Sequence, residues 1–173
     1  MPILRITYQR GTLTDSQKYQ LAEELTPVLL VGEVGTDSQA GREATHLLFQ
    51  EIDASSEWFV GGKPDLNSPK GGRFILEAWY LEGAATQSEK SIVHYQMNKI
   101  LSKVIGVDGS FPNRLKDWWI IVNEVAEGAW GASGVTVGIE AANGALGGSA
   151  GRSEYFNRYL SAKQKVAGTF GFP

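Results

Sequence analysis

A chain of 173 residues, 42% apolar and 20% charged, has the make-up of an ordinary globular domain and is long enough to bury a substantial core. Its formal charge is −3, with sixteen basic residues spread along the chain rather than clustered, which argues against nucleic acid or an anionic membrane surface as partner. It has no cysteine, so disulfides, thiolate metal sites and cysteine nucleophiles are excluded; with no signal-peptide pattern and no apolar run of about 20 residues, a cytoplasmic location outside the membrane is expected.

The chain opens Met1-Pro2-Ile3-Leu4-Arg5-Ile6-Thr7-Tyr8, a proline beside the initiator running into a β-branched and aromatic stretch that stops at Gly11. Removal of Met1, which the small second residue normally allows, would turn Pro2 into a secondary amine. Such an amine has an ordinary pKa of ~8, and apolar burial lowers it toward neutrality, where it can serve as a base or nucleophile.

Thr14 and Gln17 form a capping box, and Leu21, Ala22, Leu25, Val28 and Leu29 lie on one helical face. Pro27 predicts a kink or an end to that helix. Residues 32–43 read as a polar loop, Thr45 to Ile52 as a second strand, and Trp58 to Gly62 as a hairpin arm.

The pattern then repeats. A shift of 72 pairs Ile3 with Ile75, Leu4 with Leu76, Tyr8 with Tyr80, Gly11 with Gly83, Thr14 with Thr86, Ser16 with Ser88 and Lys18 with Lys90. Thr86 and Glu89 repeat the capping box, Val93, Met97, Ile100, Leu101 and Val104 repeat the stripe, and Trp118 to Val125 repeats the strand. The expected division is a first β-α-β unit over residues 1–62, a connector over 63–73, a second unit over 74–139, and a Gly/Ala-rich link with a C-terminal helix over 140–173, in which 141–151 reads as a flexible link and 153–167 as a short amphipathic helix. The two units predict an α/β (α+β) fold, a four-stranded sheet with both helices on one face. The bare face would need a partner, and self-association is the expected cover.

With Pro2 opening the first of two such units, the chain resembles the tautomerase superfamily, and within it the fused two-unit type of the cis-3-chloroacrylic acid dehalogenase family. The motifs that carry the resemblance are Pro2-Ile3, Leu13-Thr14 leading to Lys18, Phe49-Gln50-Glu51, Phe59-Val60-Gly61-Gly62, Glu82-Gly83 and Asn123-Glu124. It implies a homotrimer, a small-molecule substrate, no cofactor and no metal, and Pro2 as general base in a tautomerase or isomerase reaction. Hydration, dehalogenation or decarboxylation of unsaturated or 3-oxo acids is the alternative chemistry, and a non-catalytic trimeric binding module the alternative class.

The departures from the family pattern are as informative. The loop in which the dehalogenases carry two arginines reads Leu81-Glu82-Gly83-Ala84, their helix histidine falls on Leu29, their late tyrosine on Ile121, and their water-activating glutamate near Ala132. Because arginine forks hold carboxylates, their loss implies a less anionic ligand. The resemblance makes Trp130 a pocket aromatic, sets Glu82 in the place of a substrate arginine and His46 in that of another. Asn123 and Glu127, flanking the last long strand, complete the candidate substrate-binding set. In the second unit Phe74 takes the place of Pro2 but lies inside the chain and cannot be an amine, so only one of the two pseudo-equivalent sites can work.

Overall fold

A computed structural model describes residues 2–170, with side chains through residue 167. Strand β1 (Ile3–Gln9) leads through a turn into helix α1 (Asp15–Val34), followed by short helix α2 (Gln39–Ala44), strand β2 (His46–Ile52) and a hairpin of β3 (Phe59–Val60) and β4 (Lys63–Pro64). The second unit contributes β5 (Phe74–Leu81), α3 (Gln87–Ile105), β6 (Trp118–Val125) and a hairpin of β7 (Gly131–Ala132) and β8 (Val135–Thr136), and α4 (Ile139–Ala145) and α5 (Ala150–Phe170) close the chain.

The four long strands form one sheet in the order β2-β1-β5-β6. Each unit pairs its own strands in parallel, while β1 and β5 run antiparallel at the centre, with Ile3 opposite Trp79 and Tyr8 opposite Phe74. This is the expected sheet, and its alternation assigns the faces. Leu4, Ile6, Tyr8, Phe74, Leu76, Ala78 and Tyr80 are fully buried under the helices. Ile3, Arg5, Thr7, Ile75, Glu77 and Trp79 take the other side. There Arg5 pairs with Glu77 at 3.8 Å and lies over the Trp79 ring at 4.9 Å.

Both long helices start with the expected capping boxes, Thr14 with Gln17 and Thr86 with Glu89, and both end on a left-handed glycine, Gly35 and Gly106. Gln17 reaches the carbonyl of Val104 at 3.0 Å and Lys103 the carboxylate of Glu24 at 2.8 Å, so the beginning of α1 lies beside the end of α3.

Three local expectations are corrected. Helix α1 does not end at Pro27 but runs through it to Val34. Leu21, Leu25, Leu29 and Leu30 are fully buried around it, and four such side chains, at about 1.5–3 kcal/mol each, outweigh the ~3 kcal/mol of an interior proline. The stretch 32–43 is largely helical, because α1 continues through Val34 and Ser38 caps α2 by accepting the Gly41 N–H at 2.9 Å. The stretch 141–151 is a docked segment: α4 buries Ile139, Ala142 and Asn143, Leu146 packs with Leu30 and Val34, and α5 begins at Ala150. Small side chains let the backbone approach closely here, and that reads as flexibility when only composition is considered. The C-terminal helix is present and longer than expected, with Phe156 fully buried in the main core.

Candidate functional site

The site is best built from the N-terminal end of β1. Pro2 is buried, and its carbonyl accepts the His46 N–H at 3.2 Å. Strand alternation turns Pro2, like Leu4, toward the helices, and the β1–β5 register carried one pair past Ile3 and Trp79 sets it opposite Tyr80. From the last turn of α1 comes Glu33, 2% exposed, whose carboxylate accepts the Leu81 N–H at 3.2 Å. Burial raises the Glu33 pKa, opposed by the Leu81 N–H that its carboxylate accepts. Tyr80 is fully buried, with its pKa pushed up chiefly by burial and then by the Glu33 charge. Its hydroxyl sits against Gly32: a Cβ on that glycine would fall 2.7 Å from it.

The loop after β5, Leu81 to Ala85, closes this end, and α5 holds it. Arg152, Phe156, Tyr159 and Lys163 are spaced four, three and four residues apart, one face of a helix. Arg152 is 8% exposed and donates to the carbonyls of Ala84, Val31 and Gly32 at 3.1–3.4 Å while pairing with Glu89 at 2.6 Å. The Tyr159 ring lies over Gly83.

Glu82, a sequence candidate, is held by this helix. Its carboxylate accepts from Tyr159 at 2.9 Å, from Lys163 at 2.5 Å and from the Glu127 N–H at 3.0 Å, and Lys163 above all holds its pKa down at about 2. Burial and the Glu82 bond push the Tyr159 phenol up to about 12. Glu127 turns its own carboxylate to the Ile139 N–H at 3.2 Å, where it caps α4. Trp130 is half-buried against the main core. His46 is exposed at the start of β2, next to Pro2 through its backbone. Asn123 lies opposite Trp79 on the open face of the sheet, apart from the helix-facing group. The other histidine, His94, is half-buried on α3. Burial, then Lys90, lowers its pKa, and its Nε2 has no partner among the described residues.

Sequence reasoning thus missed Glu33, Tyr80, Arg152, Tyr159 and Lys163. A signal for Glu33 existed: it falls four residues after Leu29 and eight after Leu25, an ionisable group on the buried stripe of α1.

The pseudo-equivalent end, around Phe74, is built differently. Tyr8 stacks on Phe74 with ring centroids 6.0 Å apart, and its hydroxyl donates to Glu51 at 3.0 Å. Beside it, Asp65 takes Arg73 at 2.7 Å and Gln9 at 2.5 Å, and Asp117 takes both Arg73 and Arg114. A groove of about 560 Å³ opens there against Trp58, Phe59 and Trp119, remote from Pro2. A cleft of about 650 Å³ lies between α1 and α3, with Gly32, Val93 and Arg152 in its lining and Pro2 not among them. Among the described residues no group of three or more His, Asp or Glu is placed to hold a metal, and no helix is long and apolar enough to cross a membrane.

The sequence matches no family model and no curated protein. Solved structures match it over most of its length. A fused 4-OT aligns with a TM-score of 0.60 at 20% identity, covering 84% of this chain and 98% of its own. A member of the cis-3-chloroacrylic acid dehalogenase family aligns at 0.58 and 16% identity, over 78% and 82%. A malonate semialdehyde decarboxylase inhibited by 3-bromopropiolate aligns at 0.54 and 18% identity, over 82% and 95%. At these identities the likeness is one of fold.

Proposed function

We propose that this chain, which has the fused two-unit fold of the tautomerase superfamily, is a cofactor-independent isomerase that uses the Pro2 amine, freed from Met1, as general base on a small, partly apolar enolisable carbonyl compound. The observation that carries the proposal is the burial of Pro2 at the head of β1, on the helix-facing side of the sheet opposite Tyr80, whose neighbour Leu81 donates to the buried Glu33 carboxylate. Apolar surroundings favour a neutral amine, and the Glu33 charge tempers that effect by stabilising the ammonium once a proton is taken. A base poised near neutrality can take a proton from an enol oxygen or an α-carbon and return it at another carbon of the same molecule.

The ligand is weakly anionic in this proposal. The Leu81 to Ala85 loop carries no arginine, and two cations that bond it, Arg152 and Lys163, are engaged by Glu89 and Glu82. Glu33 favours a second chemistry on the same amine. A buried carboxylate at the Pro2 end of the sheet can orient a water for addition to an unsaturated acid, or assist loss of carbon dioxide from a 3-oxo acid. The assembly is a homotrimer through the open sheet face, in keeping with fused 4-OT structures described as symmetric and asymmetric trimers. Leu48, Trp119 and Ile121 are exposed on that face.

Intact-mass measurement is expected to find Met1 removed, and Pro2→Ala to abolish ketonisation of phenylenolpyruvate without changing oligomer size. Equal turnover by the variant would take Pro2 out of the mechanism. A retained Met1 together with an inert wild type would favour a non-catalytic trimeric module.

A further inference from the structure

The duplication supplies an internal control for one buried hydroxyl. Tyr8 and Tyr80 occupy equivalent positions 72 residues apart, both fully buried on the helix side of the two central strands. Tyr8 is accounted for as a structural residue: its ring stacks on Phe74, its hydroxyl donates to Glu51 at 3.0 Å, and Lys18 lies 5.9 Å from its ring centroid. Tyr80 has none of this. Its hydroxyl is buried without a hydrogen-bond partner among the described residues. Glu124, the counterpart of Glu51, is turned instead to the Gly83 N–H at 3.1 Å and to Lys90 at 2.6 Å.

The surroundings of the two tyrosines differ at two further positions. Where the second unit has Phe74, the first has Pro2; where α3 has Ile105, α1 has Glu33. Next to Glu33, Gly32 lets the Tyr80 hydroxyl and Val93 come close to the α1 backbone, since a Cβ there would lie 2.7 Å from each. Buried polar groups are almost always satisfied, and the exceptions gather at functional sites. Here the unsatisfied hydroxyl belongs to the residue opposite Pro2.

We infer that Tyr80 is a catalytic residue of the Pro2 site, donating a hydrogen bond to the substrate oxygen that carries negative charge in the transition state. The inference rests on the Pro2 proposal. In ketonisation, Pro2 takes the enol O–H proton, the oxygen lone pair re-forms the C=O bond, the C=C pair moves to carbon, and the Pro2 ammonium delivers its proton there. Tyr80 keeps its proton throughout and holds the enolate oxygen. Burial and the Glu33 charge both oppose its ionisation, so it remains a donor at neutral pH, and Glu33 from α1 and Arg152 from α5 are the charged groups acting on it.

The test sets Tyr80→Phe beside Tyr8→Phe. Tyr80→Phe is expected to melt at or above the wild-type temperature, because it deletes an unpartnered hydroxyl. Its kcat for phenylenolpyruvate should fall about 100-fold, the usual loss for one oxyanion donor, with KM little changed. Tyr8→Phe should melt lower and keep its turnover. An electron-poor alkynone, 2-oxo-3-pentynoate, labels a free proline amine and reports on Pro2 separately: Tyr80→Phe should still be labelled, as read by mass spectrometry. Turnover of Tyr80→Phe within about two-fold of wild type would overturn the role of Tyr80 while leaving Pro2 standing. An unlabelled wild type whose Pro2→Ala variant turns over equally would overturn the Pro2 proposal, and this inference with it.

Discussion

The phenol of Tyr159 donates to the Glu82 carboxylate at 2.9 Å, binding the C-terminal helix to the loop that ends β5. Lys163, one turn further along, takes the other oxygen at 2.5 Å. Two residues outside the duplicated units thereby supply polar partners to a loop that the resemblance had stripped of its arginines.

That link gives stability a pH dependence. Glu82 is held at about 2 in the folded chain, against an ordinary 4.5, so its contribution is present above about pH 4.5 and is lost as pH falls toward 2. Its side chain is 24% exposed, so screening reduces the gain to about 1–2 kcal/mol. Glu82→Gln should therefore lower the denaturation midpoint at pH 7 and match the wild type near pH 2. A deficit unchanged across that range would show that the charge is not what matters.

Gly83 and Gly11 are a matched pair from the duplication, at φ +76 and +79. A Cβ at Gly11 meets nothing within 4 Å, whereas at Gly83 it would lie 2.5 Å from the Tyr159 ring. Gly11→Ala should cost only the left-handed strain, about 1–2 kcal/mol. Gly83→Ala should cost about 1–3 kcal/mol more, the usual penalty of overpacking, and should speed proteolysis within α5. Equal losses in thermal melts would show that Tyr159 yields freely.

Arg152 is a buried cation whose guanidinium serves three carbonyls and Glu89. Arg152→Met leaves those acceptors without their donor. Breaking such a buried pair costs about 3–5 kcal/mol, and the partial exposure of Glu89 trims this to about 2–4 kcal/mol in chemical denaturation. A loss under about 0.5 kcal/mol would mean that water replaces the guanidinium at no cost.

Ile121 stands 39% exposed on the open sheet face, and Tyr95, 63% exposed, on α3 across the molecule. Ile121→Arg should convert the proposed trimer to monomer in light scattering, with an unchanged circular dichroism spectrum, because burying an unpaired charge at an apolar contact is costly. Tyr95→Arg should leave the assembly intact. The opposite pattern would move the interface to the helices.

The duplication was readable because backbone demands are local. A strand, a glycine turn, a capping box and a helical stripe each leave their mark within a few residues, and the shift of 72 aligns them directly. Pro27 misled for the same reason: its cost is local, whereas the four buried leucines that outweigh it depend on packing against the rest of the fold. The segment 141–151 misled because small residues read as slack until a partner surface is known.

By itself the chain determined the two β-α-β units, their strand and helix starts, and the terminal proline, since period, capping and turn chemistry are properties of neighbouring residues. Only the folded molecule decided that Glu33 and Tyr80 lie at the Pro2 end and that Arg152, Tyr159 and Lys163 hold the loop beside it. Those side chains are separated by up to 130 positions, from Glu33 to Lys163. Nothing in their local sequence encodes a contact that arises when β1 and β5 pair antiparallel and the last helix folds back over their ends.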